Sequence, residues 1–209
     1  MISRNLLSSV VGLTIMLSAS MVCGQGVEVS KELKVDVKGI KAESQFTPQI
    51  PATNVNDKRW KPKNWLEIDV AFEAKKAKVP GDNSNMVDGV DFKYFVVLNK
   101  TDKEGKYVML TANITYLNVI EKEAQHAMAF VSPAALERLL EKNTFSNADV
   151  KAVGVEVYRN GALTGWVSGA GGRFWEKLDG FAVTDGLLLP KAKTPFSVLW
   201  GDYDLESKQ

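Results

Sequence analysis

Thiols are almost missing from this 209-residue sequence, and Cys23 is the sole cysteine. No intramolecular disulfide can form, and no thiolate metal site of the zinc-finger kind can be assembled. Histidine is equally scarce, with His126 alone. A Ser-His-acid centre around it would need a nucleophile elbow, and no Gly-x-Ser-x-Gly occurs in the chain. A zinc site would need further nitrogen or sulfur ligands, which are not there. Charge of one sign is lacking too: 26 Lys and Arg stand against 25 Asp and Glu, for a formal net charge of +1. Such a balance makes no field that gathers phosphate backbone or anionic lipid, which argues against nucleic acid as a partner.

Long apolar runs are confined to the N-terminus. Met1–Asn5 carries one positive charge, Leu6–Met16 is apolar, and Val22-Cys23-Gly24 suits cleavage before Gln25. That is the pattern of a secretory signal peptide over residues 1–24, too short and too diluted by serine and glycine for a stable transmembrane span. A lipoprotein signal is the alternative for Cys23, although Val22 is a poor residue to precede a lipidated cysteine. With ordinary cleavage the mature chain has no thiol. Loss of Arg4 then leaves 25 bases against 25 acids. The expected location is exported: periplasmic, outer-membrane-associated or at the cell surface.

What the sequence does have is alternation. Val27–Ala42 alternates around Leu33, Val35 and Val37, with Gly39 as a candidate bulge. The proline-bearing stretch from Phe46 to Asn64 is a long connecting loop. Trp65–Ala74 places Leu66, Ile68, Val70 and Phe72 on one face and Glu67, Asp69 and Glu73 on a solvated one. Val90–Ile120 reads as a long central hairpin whose first arm is apolar on both faces through Phe95–Leu98 and whose second carries Thr111, Asn113 and Thr115 outward. His126–Val131 is a further strand, and Ser132-Pro133 opens a short helix. Asn160-Gly161 joins the strands Asp149–Tyr158 and Ala162–Ser168. Phe174–Leu178 is a helical turn, and the tail Phe196–Leu205 alternates as if to close a sheet. The expected fold is all-β, mainly an immunoglobulin-like antiparallel β-sandwich with one short helix, with a partly closed barrel as the alternative. Its parts would be a signal peptide (1–24), an N-terminal strand and long loop (25–64) and the sandwich (65–209).

Motifs for chemistry are thin. Glu67 with Asp69, and Asp202 with Asp204, are spaced to share a strand face, as paired carboxylates of a glycan hydrolase could, though an outward polar face explains them more simply. Asp82-Asn83-Ser84-Asn85 with Asp88 and Asp91 has a calcium-loop composition without the loop's order. Gly169–Gly172 lacks the Lys-Ser/Thr of a phosphate cradle. Trp60, Trp65, Trp166, Trp175 and Trp200 are the material for a sugar-stacking platform or, more simply, for core and rim. No catalytic, cofactor-binding or metal-binding residue is assigned, and no cofactor is expected.

Several segments carry a resemblance: WKPKNWLEIDVAFEA, FKYFVVLNK with YVMLTANITYLNV, AMAFVSPAALERL, and GLLLPKAKTPFSVLWGDYDLE. In this order, over Trp60–Glu206, they resemble the pilus-like protein family of Verrucomicrobia, best known from Akkermansia. The resemblance implies an exported immunoglobulin-like sandwich encoded near type IV pilus assembly components. A pilin's long apolar N-terminal helix is absent past Gln25. The expectation is therefore a non-catalytic envelope protein of a pilus-like system, acting in assembly, adhesion or host and protein interaction. Its partners would be itself, through strand addition by Val27–Ile40, or other envelope proteins. A glycan-binding module is the alternative, followed by a carboxylate-dependent hydrolase.

Overall fold

A computed structural model describes residues 30–208 except 52, 54, 55, 57, 79, 80 and 82. The signal peptide expected over residues 1–24, with Cys23, lies outside the described residues, as does the beginning of the strand expected over Val27–Ala42. The strands are β1 (Leu33–Phe46), β2 (Asn64–Lys76), β3 (Met86–Val87), β4 (Val90–Thr101), β5 (Tyr107–Tyr116), β6 (Val119–Ile120), β7 (Ala124–Val131), β8 (Val150–Arg159), β9 (Ala162–Ser168), β10 (Phe181–Asp185) and β11 (Leu188–Pro190). The helix α1 spans Pro133–Leu140, with the Ser132 hydroxyl accepting from the Ala135 N–H at its N-cap.

Two sheets face each other, one ordered β1-β2-β7-β11 and the other β10-β5-β4-β8-β9, with β3 and β6 as a small separate pair. The fold is an immunoglobulin-like sandwich, as the alternation implies. The central hairpin is β4 and β5, and β4 sits in the middle of its sheet. Its inward residues Phe92, Tyr94, Val96 and Leu98 meet Leu66, Ile68, Val70 and Phe72 of β2 in one core. The Tyr94 and Tyr116 hydroxyls share a 2.9 Å hydrogen bond inside that core, and Tyr116 donates onward to the Met128 carbonyl at 2.7 Å. These two buried hydroxyls are thus satisfied.

β1 joins the N-terminal strand to this core. It pairs with β2 from Leu33↔Lys76 to Phe46↔Asn64, with the register shifting at Gly39 as a bulge. Leu33 and Val35 are buried in the main core, and the Ser30 N–H bonds to the Leu163 carbonyl of β9. Gly165 allows this approach: a Cβ there would lie 2.2 Å from the Val35 carbonyl oxygen. One side of the sandwich is partly closed in this way. At the β8–β9 turn, Asn160 (φ 51°) and Gly161 (φ 80°) supply the two positive φ angles of a type I′ turn.

Three expectations need correction. The tail Phe196–Leu205 is no strand: Pro195–Val198 is a short 3-10 turn, because Pro195 fixes φ and lacks an N–H while Thr194 caps the turn. Sheet pairing comes only beyond it, in an isolated bridge from Ser207 to Tyr116. Two short strands outside those expected, β10 and β11, form over the apolar stretches Phe181–Asp185 and Leu188–Pro190, and β10 runs parallel to β5 rather than antiparallel as the expected sandwich would have it. Finally, the outer face of β2 is not a bare solvated surface, because the C-terminal segment lies over it.

Candidate functional site

On the outer face of the four-stranded sheet, the odd-numbered residues of β2 and the even-numbered residues of β7 point away from the core. At one end Trp65, Met128 and Phe130 are covered by Phe196. Phe196 stacks on Phe130 at 4.7 Å between ring centroids and meets Trp65 edge-on at 5.7 Å. Beyond Phe196 the chain turns through Trp200, whose φ of 53° is a left-handed value that bulky residues rarely adopt. Trp200 stacks on Phe196 at 5.9 Å and remains 41% exposed.

The segment is fixed at its far end by three side chains. His126 Nδ1 lies 2.8 Å from Asp69 Oδ1, the Tyr203 hydroxyl donates to Asp69 Oδ2 at 2.8 Å, and the His126 and Tyr203 rings stack at 4.2 Å. Just inside, Lys191 Nζ pairs with Asp204 Oδ1 at 2.5 Å, with both side chains almost enclosed. Burial raises the Asp204 carboxyl above the usual range, opposed by the hydrogen bond from Lys191.

Between this segment and the sheet runs a groove of about 510 Å³, lined by Lys41, Glu43 and Gln45 of β1, Glu67 and Asp69 of β2, Met128, and residues 200–203. Its acids lie close because of strand register: Glu43 is directly across from Glu67, and Lys41 across from Asp69. Like charges in facing positions repel. Glu67 Oε2 is enclosed and has no hydrogen-bond partner. Burial pushes the Glu67 carboxyl up to about 7, and the charges of Asp69, Glu43 and Asp204 push the same way. The arrangement is therefore equipped to accept hydrogen bonds and positive charge.

The carboxylates singled out by spacing are thus brought together by the fold, with different fates. Asp69 is saturated by His126 and Tyr203, Asp204 by Lys191, Asp202 is exposed on the rim, and Glu67 is left open. Glu43 was not legible as a member, because only the β1–β2 register reveals it. The tryptophans do not form one platform. Trp65 and Trp200 belong to this face, whereas Trp166 and Trp175 meet at 6.4 Å on the outer face of the other sheet. Asp88 and Asp91 accept from the Asn118 N–H and the Thr115 hydroxyl, and among the described residues no group of three His, Cys, Asp or Glu is placed to hold a metal ion. Gly169–Gly172 follows β9 as a turn, with no cradle around it.

An all-β sandwich with an acidic, aromatic groove on one outer face is the class of protein that this fold and site define. A family model matches residues 26–209, and the chain belongs to that family, an Akkermansia-type one in keeping with the motifs from Trp60 to Glu206. The crystal structure of a protein from Akkermansia muciniphila is similar to it with a TM-score of 0.73 and 25% identity, covering 85% of this chain and 94% of that one. No curated protein matches the chain. Among the described residues no helix is long and apolar enough to cross a membrane.

Proposed function

We propose that the protein is a non-catalytic, exported domain of the cell envelope that works by binding, in adhesion or assembly associated with a type IV pilus-like system. One observation carries the reading. Of the ten large hydrophobic side chains exposed among the described residues, six, Phe46, Ile50, Trp60, Val198, Trp200 and Tyr203, fall in two stretches, the end of β1 with the connection after it and the C-terminal segment. The two flank the end of β1: Phe46 lines a cleft with Pro62, Pro133 and Leu136, and Trp200 lines the groove with Gln45. Grouped exposed apolar side chains mark contact surfaces, whereas scattered ones are ordinary. Among the described residues β1 is also an edge strand that pairs in its ladder with β2 alone, and the part of its outer edge beyond the stretch lying against β9 is the part available for strand addition. Export rests on the leader at residues 1–24, and the link to a pilus-like system rests on the family resemblance.

Surface labelling with a membrane-impermeant reagent, followed by shearing of surface fibres, tests this. The protein should be labelled on intact cells, and its share in the fibre fraction should fall about tenfold or more in a Phe46→Asp/Ile50→Asp variant, as expected for losing two apolar anchors. Both positions are more than half exposed, so the fold is spared. Equal recovery of variant and wild type, or a protein never reached by the label, overturns the reading.

A further inference from the structure

We propose that the groove over β1 and β2 is a receptor for a primary ammonium group on an aliphatic chain, as carried by a lysine side chain or a free diamine. The proposal stands apart from the association with fibres, since it concerns what the groove itself recognises.

The first support is charge. Glu43, Glu67, Asp69 and Asp202 line the groove against a single lysine, Lys41. An anionic ligand would meet repulsion there. The second is register. Glu43 and Glu67 face each other across the β1–β2 ladder, a pairing that is unfavourable when both carboxylates are charged and that a cation between them relieves. The third is the enclosed Glu67 Oε2, which has no donor within the protein. A buried acceptor without a donor carries a desolvation cost that a charged N–H donor would offset.

The shape of the site selects the kind of cation. No three of the described His, Cys, Asp or Glu side chains are placed to share a metal ion, so a bare inorganic ion has no coordination sphere here. The acids are instead spread along a groove walled by Trp200, Tyr203 and Met128. Aromatic faces and a thioether suit a methylene chain, and the aromatic rings also attract an ammonium head. An ammonium has three donors and no acceptor, which matches a lining rich in acceptors. The volume of about 510 Å³ lies within the range of ~300–1,000 Å³ usual for small-ligand clefts. A neutral sugar could use the same aromatic wall, but it would leave the repulsion between Glu43 and Glu67 in place.

Ionisation of Glu67 links binding to pH. The groups facing it are Asp69 on its own strand, Glu43 on β1, and Asp204 and Lys191 from the C-terminal part, with Lys41 and Asp202 also lining the groove. Glu67 must lose its proton to hold the cation well, so affinity should rise from pH 6 to pH 8.

Isothermal titration calorimetry of the mature chain decides the matter. The probes are 1,5-diaminopentane and Nα-acetyl-lysine methylamide, with 1,5-pentanediol and N-acetylglucosamine as neutral counterparts. The amines should bind and the diol should not, and Glu67→Gln should weaken amine binding about tenfold or more. A tighter lysine derivative identifies a protein partner as the source, and a tighter diamine a free polyamine; either supports the proposal. Should Glu67→Gln lose its fold, Glu43→Gln on the exposed strand edge serves instead, with a loss of about threefold or more. The proposal is overturned by three results: no amine binding at pH 8, amine affinity unchanged in the folded variant, or neutral sugar binding as strong as amine binding.

Discussion

The chain covers the outer face of each sheet with a segment from its last third, and the two coverings are finished differently. Over the five-stranded sheet, Trp175 lies flat on Phe95, 4.7 Å away with the planes 4° apart, and closes a small core with Val97 and Met109. Gly154 makes room, since a Cβ there would come within 2.0 Å of the Trp175 ring. The acid beneath this cover, Glu156, is paired with Arg173 and accepts from the Tyr158 hydroxyl at 2.8 Å. Over the four-stranded sheet, Phe196 lies on Phe130 in the same manner, 4.7 Å away at 12°. There the cover then lifts through Trp200 and leaves Glu67 Oε2 without a donor. On the first face the acid is paired and the buried atom left without a partner is the neutral Trp175 indole N–H; on the second it is a carboxylate oxygen, of the sort that functional sites leave open.

The sharpest way to break this comparison is to remove each covering ring. Trp175→Ala and Phe196→Ala should each cost about 3–5 kcal/mol, the usual range for deleting a buried aromatic ring. Urea unfolding measures both. They should part company in the groove: Phe196→Ala takes away the ring on which Trp200 rests and should abolish amine binding, whereas Trp175→Ala, on the opposite sheet, should leave it intact at temperatures where the variant is folded. Equal effects on binding would mean that the two coverings are not independent.

The two buried acids sharpen the comparison through pH. Glu67 is raised, chiefly by burial, to about 7 from an ordinary 4.5. The folded state therefore holds its proton more tightly than the unfolded chain. Stability is complete below about pH 4.5 and is lost as pH rises through 7. Glu156 has the opposite sign. Burial pushes it up, but Arg173 and Tyr158 in hydrogen-bond geometry, and the Trp175 indole N–H lying just outside it, together hold it below the usual range. Its contribution is present above about pH 4.5 and fades as pH falls. Glu67→Gln should thus stabilise the protein at pH 8 by about 1–2 kcal/mol, after allowance for solvent screening, and do almost nothing at pH 4. Urea midpoints at the two pH values read the difference; the same gain at both would show that charge is not what Glu67 contributes.

Much of the closed face could be read in the sequence, and little of the open one. The double-sided apolar pattern through Phe95 and Val97 announces that β4 is covered on both sides, and the structure supplies Trp175 as the cover. The inward faces of β2 and β5, the Ser132 cap and the Asn160-Gly161 turn follow from residue pattern, because period and turn chemistry are local properties. The groove is not local. It depends on Glu43 facing Glu67, which the Gly39 bulge sets, and on a C-terminal segment whose alternation around Val198, Trp200 and Asp202 imitates a strand. Proline at 195 and the left-handed turn at Trp200 decide against that strand, and positive φ at a tryptophan has no signature in sequence. Glu67 and Asp69 were visible as a pair, but only the fold separates the saturated carboxylate from the open one.

The smallest expected effect concerns what holds the open cover down. Tyr203→Phe keeps the ring that stacks on His126 and removes only the hydroxyl that donates to Asp69 Oδ2. Burial, followed by the hydrogen bond to Asp69, pushes that hydroxyl up to about 12, so it remains a donor throughout the neutral range and the latch does not open with pH. Asp69 retains its contact with His126, and the loss should be about 0.5–1.5 kcal/mol, the net worth of one hydrogen bond. Because the covering segment is tied to the sheet by the Leu205 N–H on the His126 carbonyl, that amide is the local reporter. Its hydrogen exchange should quicken in Tyr203→Phe while the amides of β4, buried in the other sheet, keep their rates once the global change is subtracted. Uniform acceleration across both sheets would show that the segment over the groove opens only when the whole domain unfolds, and that the two coverings are equally closed.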